Sequence, residues 1–290
     1  MHRIANLVWI IGLLSLAVAL SGCSAIKLGY NTLPQVSAWW IDGYIDLGDD
    51  QEQRMREDIG RLHQWHRRQE LPKISALLQQ AERMVAGDFK AQEACALVPD
   101  IRDRLRALGE QAEPAAVTLA LGLLPAQLEH LERKYQKNNR DYRKDWIDLP
   151  PDELRDKRFK QFLDRTEMVY GRLDDAQRET LRSQMARTGS DPRTNLLERQ
   201  RRQQDILQTL RGIAGRAVPL GEARALLRGL IERGLQPPDR TYRGYQEMLL
   251  QETCINLAAV HHSTTPQQRQ TAVRRLRDYQ RDLADLAAEP

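Results

Sequence analysis

The chain has 290 residues, carries a net charge of +4, and is 29% charged but only 6% aromatic. That length can bury one sizeable core or two smaller ones. Its Lys, Arg, Asp and Glu are interleaved rather than massed, which speaks against a nucleic-acid surface. Arg, Gln, Glu, Leu and Ala dominate while β-branched residues and period-two alternation are scarce, so the expected fold is all-α.

The chain opens with Arg3, an apolar run over residues 4–20, and then Leu20-Ser21-Gly22-Cys23. A basic start, an apolar stretch and small residues are the layout of a secretory signal. The tetrapeptide resembles the lipobox of bacterial lipoproteins. That resemblance implies that residues 1–22 are a cleaved signal peptide, that Cys23 is lipidated on sulfur, and that its new amino group is acylated. Each buried acyl methylene contributes roughly 0.8 kcal/mol, so two or three chains hold a protein on a membrane. Ser24 stands where an aspartate tends to retain lipoproteins in the inner membrane, so the expected location is the outer membrane, facing the periplasm. An uncut single-span anchor is the alternative, since seventeen mostly apolar residues approach the length of a span. Residues 23–46 read as the lipidated cysteine and a tether, with Tyr30, Trp39 and Trp40 marking where it begins to pack.

Downstream, Met55, Ile59, Leu62 and Trp65 or His66 place an apolar stripe on a helix over 51–69. Pro72 is expected to interrupt it before a second stripe of Ile74, Leu77, Leu78, Ala81, Met84 and Val85, which stops at Gly87. Further helices are predicted at 99–109, 114–145, 152–170, 175–187, 193–214, 221–234, 241–260 and 266–288, with Pro and Gly at the joins. The polar stretch 188–193 divides a helical region, 47–188, from a C-terminal helical bundle, 193–290, the two packing as one unit. Long charged helices suggest an elongated multi-helix bundle or cradle. Basic residues gather mildly at Arg133, Lys134, Lys137, Arg140, Arg143 and Lys144, with Asp141 and Asp145 among them. This reads as a solvated helix face, or alternatively as a contact for anionic lipid headgroups or cell-wall polymers.

One helix-start pattern returns four times: Leu47-Gly48-Asp49-Asp50-Gln51, Leu123-Leu124-Pro125-Ala126-Gln127, Leu173-Asp174-Asp175-Ala176-Gln177 and Thr264-Thr265-Pro266-Gln267-Gln268. Capping accounts for it. Asp174 or Thr265 can accept from the third helical N–H, and the Gln side chain can reach back to the cap's own N–H. Proline in the first turn loses no needed donor. The pattern resembles the LTxxQ motif of the Spy and CpxP-like periplasmic proteins, all-α cradles that bind unfolded clients or sense envelope stress. Only Thr265 supplies that family's threonine, and the uneven spacing makes no solenoid. More broadly, Leu28-Gly29-Tyr30-Asn31, the block Trp65-His66-Arg67-Arg68-Gln69-Glu70-Leu71-Pro72, and Tyr170-Gly171-Arg172-Leu173 leading to Gln177 resemble an uncharacterised family of bacterial lipoproteins. Within that block Trp65, His66, Arg67, Glu70 and Pro72 are read as a constrained structural motif.

No phosphate loop, nucleophile elbow, H-E-x-x-H or Cys-His nucleophile is present, so no catalytic residue and no cofactor is assigned. His63, His66 and Glu70 share one helix face and are the weak candidates for a metal, against a structural His–Glu contact. His261-His262 falls at a helix end, where a cation meets the last carbonyls favourably. Cys95 and Cys254 could form a disulfide in an oxidising compartment, or remain buried thiols. Together these features point to a non-enzymatic interaction or chaperone-like envelope protein. Its expected partners are the membrane, through Cys23, and an envelope protein or unfolded clients, with no nucleic acid. The alternative is a metal-dependent or hydrolytic factor acting on cell-wall or lipid material.

Overall fold

The computed structural model describes residues 21–214 and 218–289, with side chains from residue 25 onward. The apolar run 4–20 lies outside the described residues, as does the side chain of Cys23. Every element among the described residues is helical: α1 (Ser21–Ile45), α2 (Asp49–Trp65), a π-turn (His66–Glu70), α3 (Leu71–Ala86), α4 (Ala91–Cys95), α5 (Val98–Leu121) and α6 (Pro125–Tyr142). A second π-turn (Arg143–Ile147) leads to α7 (Pro151–Tyr170), α8 (Asp175–Ala186), α9 (Pro192–Ala214), α10 (Leu220–Leu235), α11 (Arg240–Ser263) and α12 (Pro266–Ala288).

Three expectations need correction. The segment read as a tether is helical through to Ile45, Pro34 included, and its Ala38 is buried. Pro72 does not interrupt the helix that begins at Asp49. In a regular helix its ring would collide with the carbonyl of Arg68 and leave that carbonyl unpaired. The π-turn inserts a residue instead, so that Leu71 N–H reaches His66 C=O, five residues back. Pro72 then falls in the first turn of α3, where no N–H is required. Finally, the helix predicted over 114–145 starts too late and hides a break. Pro114 lies inside α5, and the carbonyl of Glu110 that it frees belongs to an exposed residue. The break comes at 122–124, where Pro125 opens α6.

The continuous rod 49–86 spans roughly 57 Å at 1.5 Å per residue. Helix α12 runs antiparallel to its second half: Arg277 and Gln280 hold Glu82 at 2.7 and 2.8 Å, and Arg67 reaches Leu286 C=O at 3.2 Å. Apolar faces close three separate clusters. Val85, Phe89, Ala94, Tyr170, Cys254, Ala258, Ala272 and Leu276 form one. Val117 and Ala120 of α5 meet Ile213 of α9 and Ala223 and Leu227 of α10 in another. Leu173, Leu181 and Val260 form the third. Each draws on helices from both sides of the polar stretch 188–193. Several small separate cores, in place of one central core, make an elongated all-α bundle. Leu181 and Ile213 are fully buried, and truncating either to Ala should cost about 2–5 kcal/mol.

Candidate interaction site

The four recurrent glutamines are brought together in two pairs, Gln51 with Gln127 and Gln177 with Gln268. Each Oε1 accepts from the backbone N–H three residues earlier: Gly48 at 3.1 Å, and Leu124, Asp174 and Thr265 at 2.9 Å. Each Nε2 donates to its partner's Oε1, at 3.3 and 2.6 Å in the first pair and 2.7 and 2.9 Å in the second. Each Nε2 also donates to the carbonyl five residues before its partner: Gln51 to Gly122, Gln127 to Asp46, Gln177 to Ser263 and Gln268 to Arg172, at 2.8–2.9 Å. Each pair is therefore a local two-fold seam that locks two interhelical turns together. Capping explains only a third of these bonds. A primary amide suits the others as well, because one oxygen and two N–H groups supply all of them.

The seams differ in their surroundings. At the second, Asp174 Oδ1 and Thr265 Oγ1 accept from the backbone N–H of Gln177 and Gln268, at 2.8 and 3.2 Å. At the first, Gly48 and Leu124 provide no side-chain cap, and the turn is shaped by Asp46 in the left-handed region (φ 62°) and Asp42, whose Oδ1 accepts from Leu47 N–H. Beside the second seam His261 is fully buried between Tyr170 and Gly87. Its Nε2 donates to Gly87 C=O at 2.6 Å and its Nδ1 meets the Tyr170 hydroxyl at 2.9 Å. Burial holds this imidazole below its ordinary pKa, with Arg269 adding to the effect, and pushes Tyr170 up to about 12. His261 is thus a neutral core group, not the helix-end cation expected from its position. Cys95 and Cys254 are joined in a disulfide, with Cα atoms 5.7 Å apart, pinning α4 to α11 in the same region.

Beside the first seam lies an apolar groove of about 340 Å³. Ile41 of α1 and Met55, Ile59 and Leu62 of α2 form one wall, and Pro114, Ala115 and Leu119 of α5 the other. The exposed Ile101 and Leu105 continue the α5 wall along the helix. Residues 101, 105, 112, 115 and 119 share one face at helical spacing, a stripe the sequence carried but that the expected break near 110 concealed. A larger concavity of about 990 Å³ lies between the end of α3 and α12. Its Arg269 and Arg281 hold Asp88 and Asp278, and Arg277 holds the nearby Glu82, so its charge is largely internally balanced.

His63, His66 and Glu70 do not converge. His63 Nε2 donates to Tyr30 C=O at 3.1 Å, and His66 Nδ1 pairs with the Tyr30 hydroxyl at 3.0 Å. Burial lowers the pKa of both imidazoles and raises that of Tyr30 to about 12. Glu70 is buried between Lys73 at 2.7 Å and Arg104 at 3.2 Å. Among the described residues no three His, Cys, Asp or Glu side chains are grouped to hold a metal ion. Arg67 binds Leu286 C=O, Glu289 and Asn31, and its guanidinium lies 5.4 Å from the Tyr30 ring. The block around Trp65–Pro72 is therefore the joint where α1, the π-turn and the end of α12 meet.

A family model matches residues 43–234, the larger part of the chain, and the chain belongs to that family, DUF6279, a family of unknown function. No curated protein and no solved structure matches it.

Proposed function

We propose that this member of the family is a lipid-anchored envelope protein that binds other proteins and catalyses no reaction. The anchor is Cys23, acylated on the periplasmic face of the outer membrane, and the binding element is the apolar groove between α1, α2 and α5. The groove carries the reading. Ile59, Leu62 and Leu119 remain partly exposed along it, and an open apolar trough of this kind receives the apolar side of a partner segment. Two further features support it. The Cys95–Cys254 bridge suits an oxidising compartment. The paired glutamines hold together the two turns beside the groove, through their mutual bonds and those to Gly122 and Asp46.

The test is crosslinking in living cells through a photoreactive residue at position 62, followed by mass spectrometry. One dominant envelope protein would identify a dedicated partner, and a spread of unfolded proteins would identify a chaperone. Ile59→Asp or Leu119→Asp should abolish either pattern while leaving helicity intact. If position 62 captures nothing and the purified protein does not delay aggregation of an unfolded client, the reading fails.

A further inference from the structure

One face of α1 is exposed and apolar along most of its length. Leu28, Leu33, Val36, Trp39 and Trp40 are 67%, 45%, 53%, 73% and 55% exposed. At 100° per residue they fall within a sector about 140° wide, together with Ala25, Gly29, Thr32 and Gly43. No residue from 28 to 41 is charged, in a chain that is 29% charged. The opposite face of α1 packs into the protein through Ala38, Tyr30 and the Lys27 ion pair with Asp285. This helix therefore offers a surface only on one side.

We infer that the exposed face of α1 lies on the lipid bilayer, with Trp39 and Trp40 at the headgroup boundary. The inference rests on the reading of Cys23 as the acylated residue, because that cysteine heads the same helix and brings α1 to the bilayer. Three observations select lipid over a protein occupant. The face begins at Leu28, five residues after the site of acylation and on the same helix. Its far end is aromatic, with the Trp40 and Tyr44 rings 4.5 Å apart, and such rings favour the boundary between apolar chains and water. Beside them Lys134 of α6 lies 5.4 Å from the centre of the Tyr44 ring, placing a cation at the level of anionic headgroups with its stem along apolar surface. Ile41, on the side of α1 away from this face, belongs to the groove. A bilayer under Trp39 would therefore hold the groove turned away from the membrane, open to partners.

The test reconstitutes the exported, processed protein into phosphatidylethanolamine–phosphatidylglycerol vesicles whose acyl chains carry bromine, a short-range quencher of tryptophan. Four tryptophans follow residue 23. Since two of them are on this face, total emission should fall by about half. In Trp39→Phe/Trp40→Phe the remaining emission, from Trp65 and Trp146, should be barely quenched, and circular dichroism should show the helices unchanged. Lys134→Gln should reduce quenching in wild-type background when phosphatidylglycerol is present. Mass spectrometry of the Cys23 peptide reads the anchor independently. Acyl chains on Cys23 without quenching of Trp39 and Trp40 would overturn the inference and leave the anchor standing. Quenching in vesicle-bound protein that carries no acyl chain would support the inference and overturn the anchor. Quenching that is equal in wild type and Trp39→Phe/Trp40→Phe would also overturn it.

Discussion

The two glutamine seams have the same bond pattern but opposite surroundings. At the Gln177–Gln268 seam the turns are capped by Asp174 and Thr265. They are backed by a buried His261–Tyr170 pair, and the disulfide lies within the same cluster of packed helices. At the Gln51–Gln127 seam the cap residues Gly48 and Leu124 make no side-chain capping bond, Gln51 is only half-buried, and an apolar groove opens alongside. One motif thus serves two purposes. Surrounded by caps and a covalent bridge it closes a core, and with those stripped away it supports an open edge. The lesson is that rigidity here comes from what encloses the seam more than from the seam itself.

Breaking the bridge should separate the two regions most. Its loop spans 159 residues, and loss of a native disulfide of this kind typically costs about 3 kcal/mol. Cys95→Ala/Cys254→Ala, or reduction, should therefore lower the denaturation midpoint. Hydrogen exchange should speed up in α11 and α12 while α2 and α5 keep their protection. Equal loss of protection in both regions would show a single cooperative unit and erase the contrast.

Removing a seam amide comes next. Gln177→Ala should cost about 2 kcal/mol, because buried carbonyls and an N–H lose their partner, and Gln51→Ala about 1 kcal/mol, because water can reach its site. Double-mutant cycles should give a coupling of similar size and sign within each pair. No coupling between Gln177 and Gln268 would mean that their shared bonds contribute nothing.

The pH response follows from the imidazoles. Burial holds His261, His63 and His66 below 6.5, the ordinary histidine value. The unfolded chain therefore binds protons more readily than the native one as pH falls below about 6.5. Stability should be full above that value and decline as pH falls through the native values. His261→Gln should flatten the part of this decline seen by probes in α11, while probes in α2 retain theirs from His63 and His66.

The smallest effect would make the seams more alike. Gly48 has extended backbone geometry, and a Cβ there would meet its nearest atom at 3.9 Å. Gly48→Asp and Leu124→Asp should each add about 0.5 kcal/mol by supplying the missing cap, whereas Asp174→Ala should remove about 1 kcal/mol. Thermal melts at neutral pH would read both signs. Destabilisation by Gly48→Asp would indicate that the first turn requires glycine for another reason.

Much of the helical layout was legible. Apolar residues recur every three or four positions along 51–85 and 266–288, and Pro and Gly mark most turns. The four capping glutamines could also be found, because the signal spans five residues. Their pairing could not, since the partners stand 76 and 91 residues apart and in each copy the glutamine is already accounted for by its bond back to its own cap. The same limit explains His261. From its neighbours it reads as a helix-end residue, and only the approach of Gly87 and Tyr170 buries it. The groove was obscured for a local reason: a break expected near Pro114 split the α5 stripe that forms one of its walls.

By itself the sequence determined the all-α class, the capped helix starts and the positions of most turns. These depend on propensity, periodicity and bonds within a few residues. Tertiary structure decided which turns face each other, that Cys95 meets Cys254, that Pro72 is absorbed by a π-turn, and that Trp39 and Trp40 remain exposed while Ala38 between them and the core is buried. Those outcomes depend on which distant surfaces exclude water together, a property of the packed chain that no local window contains.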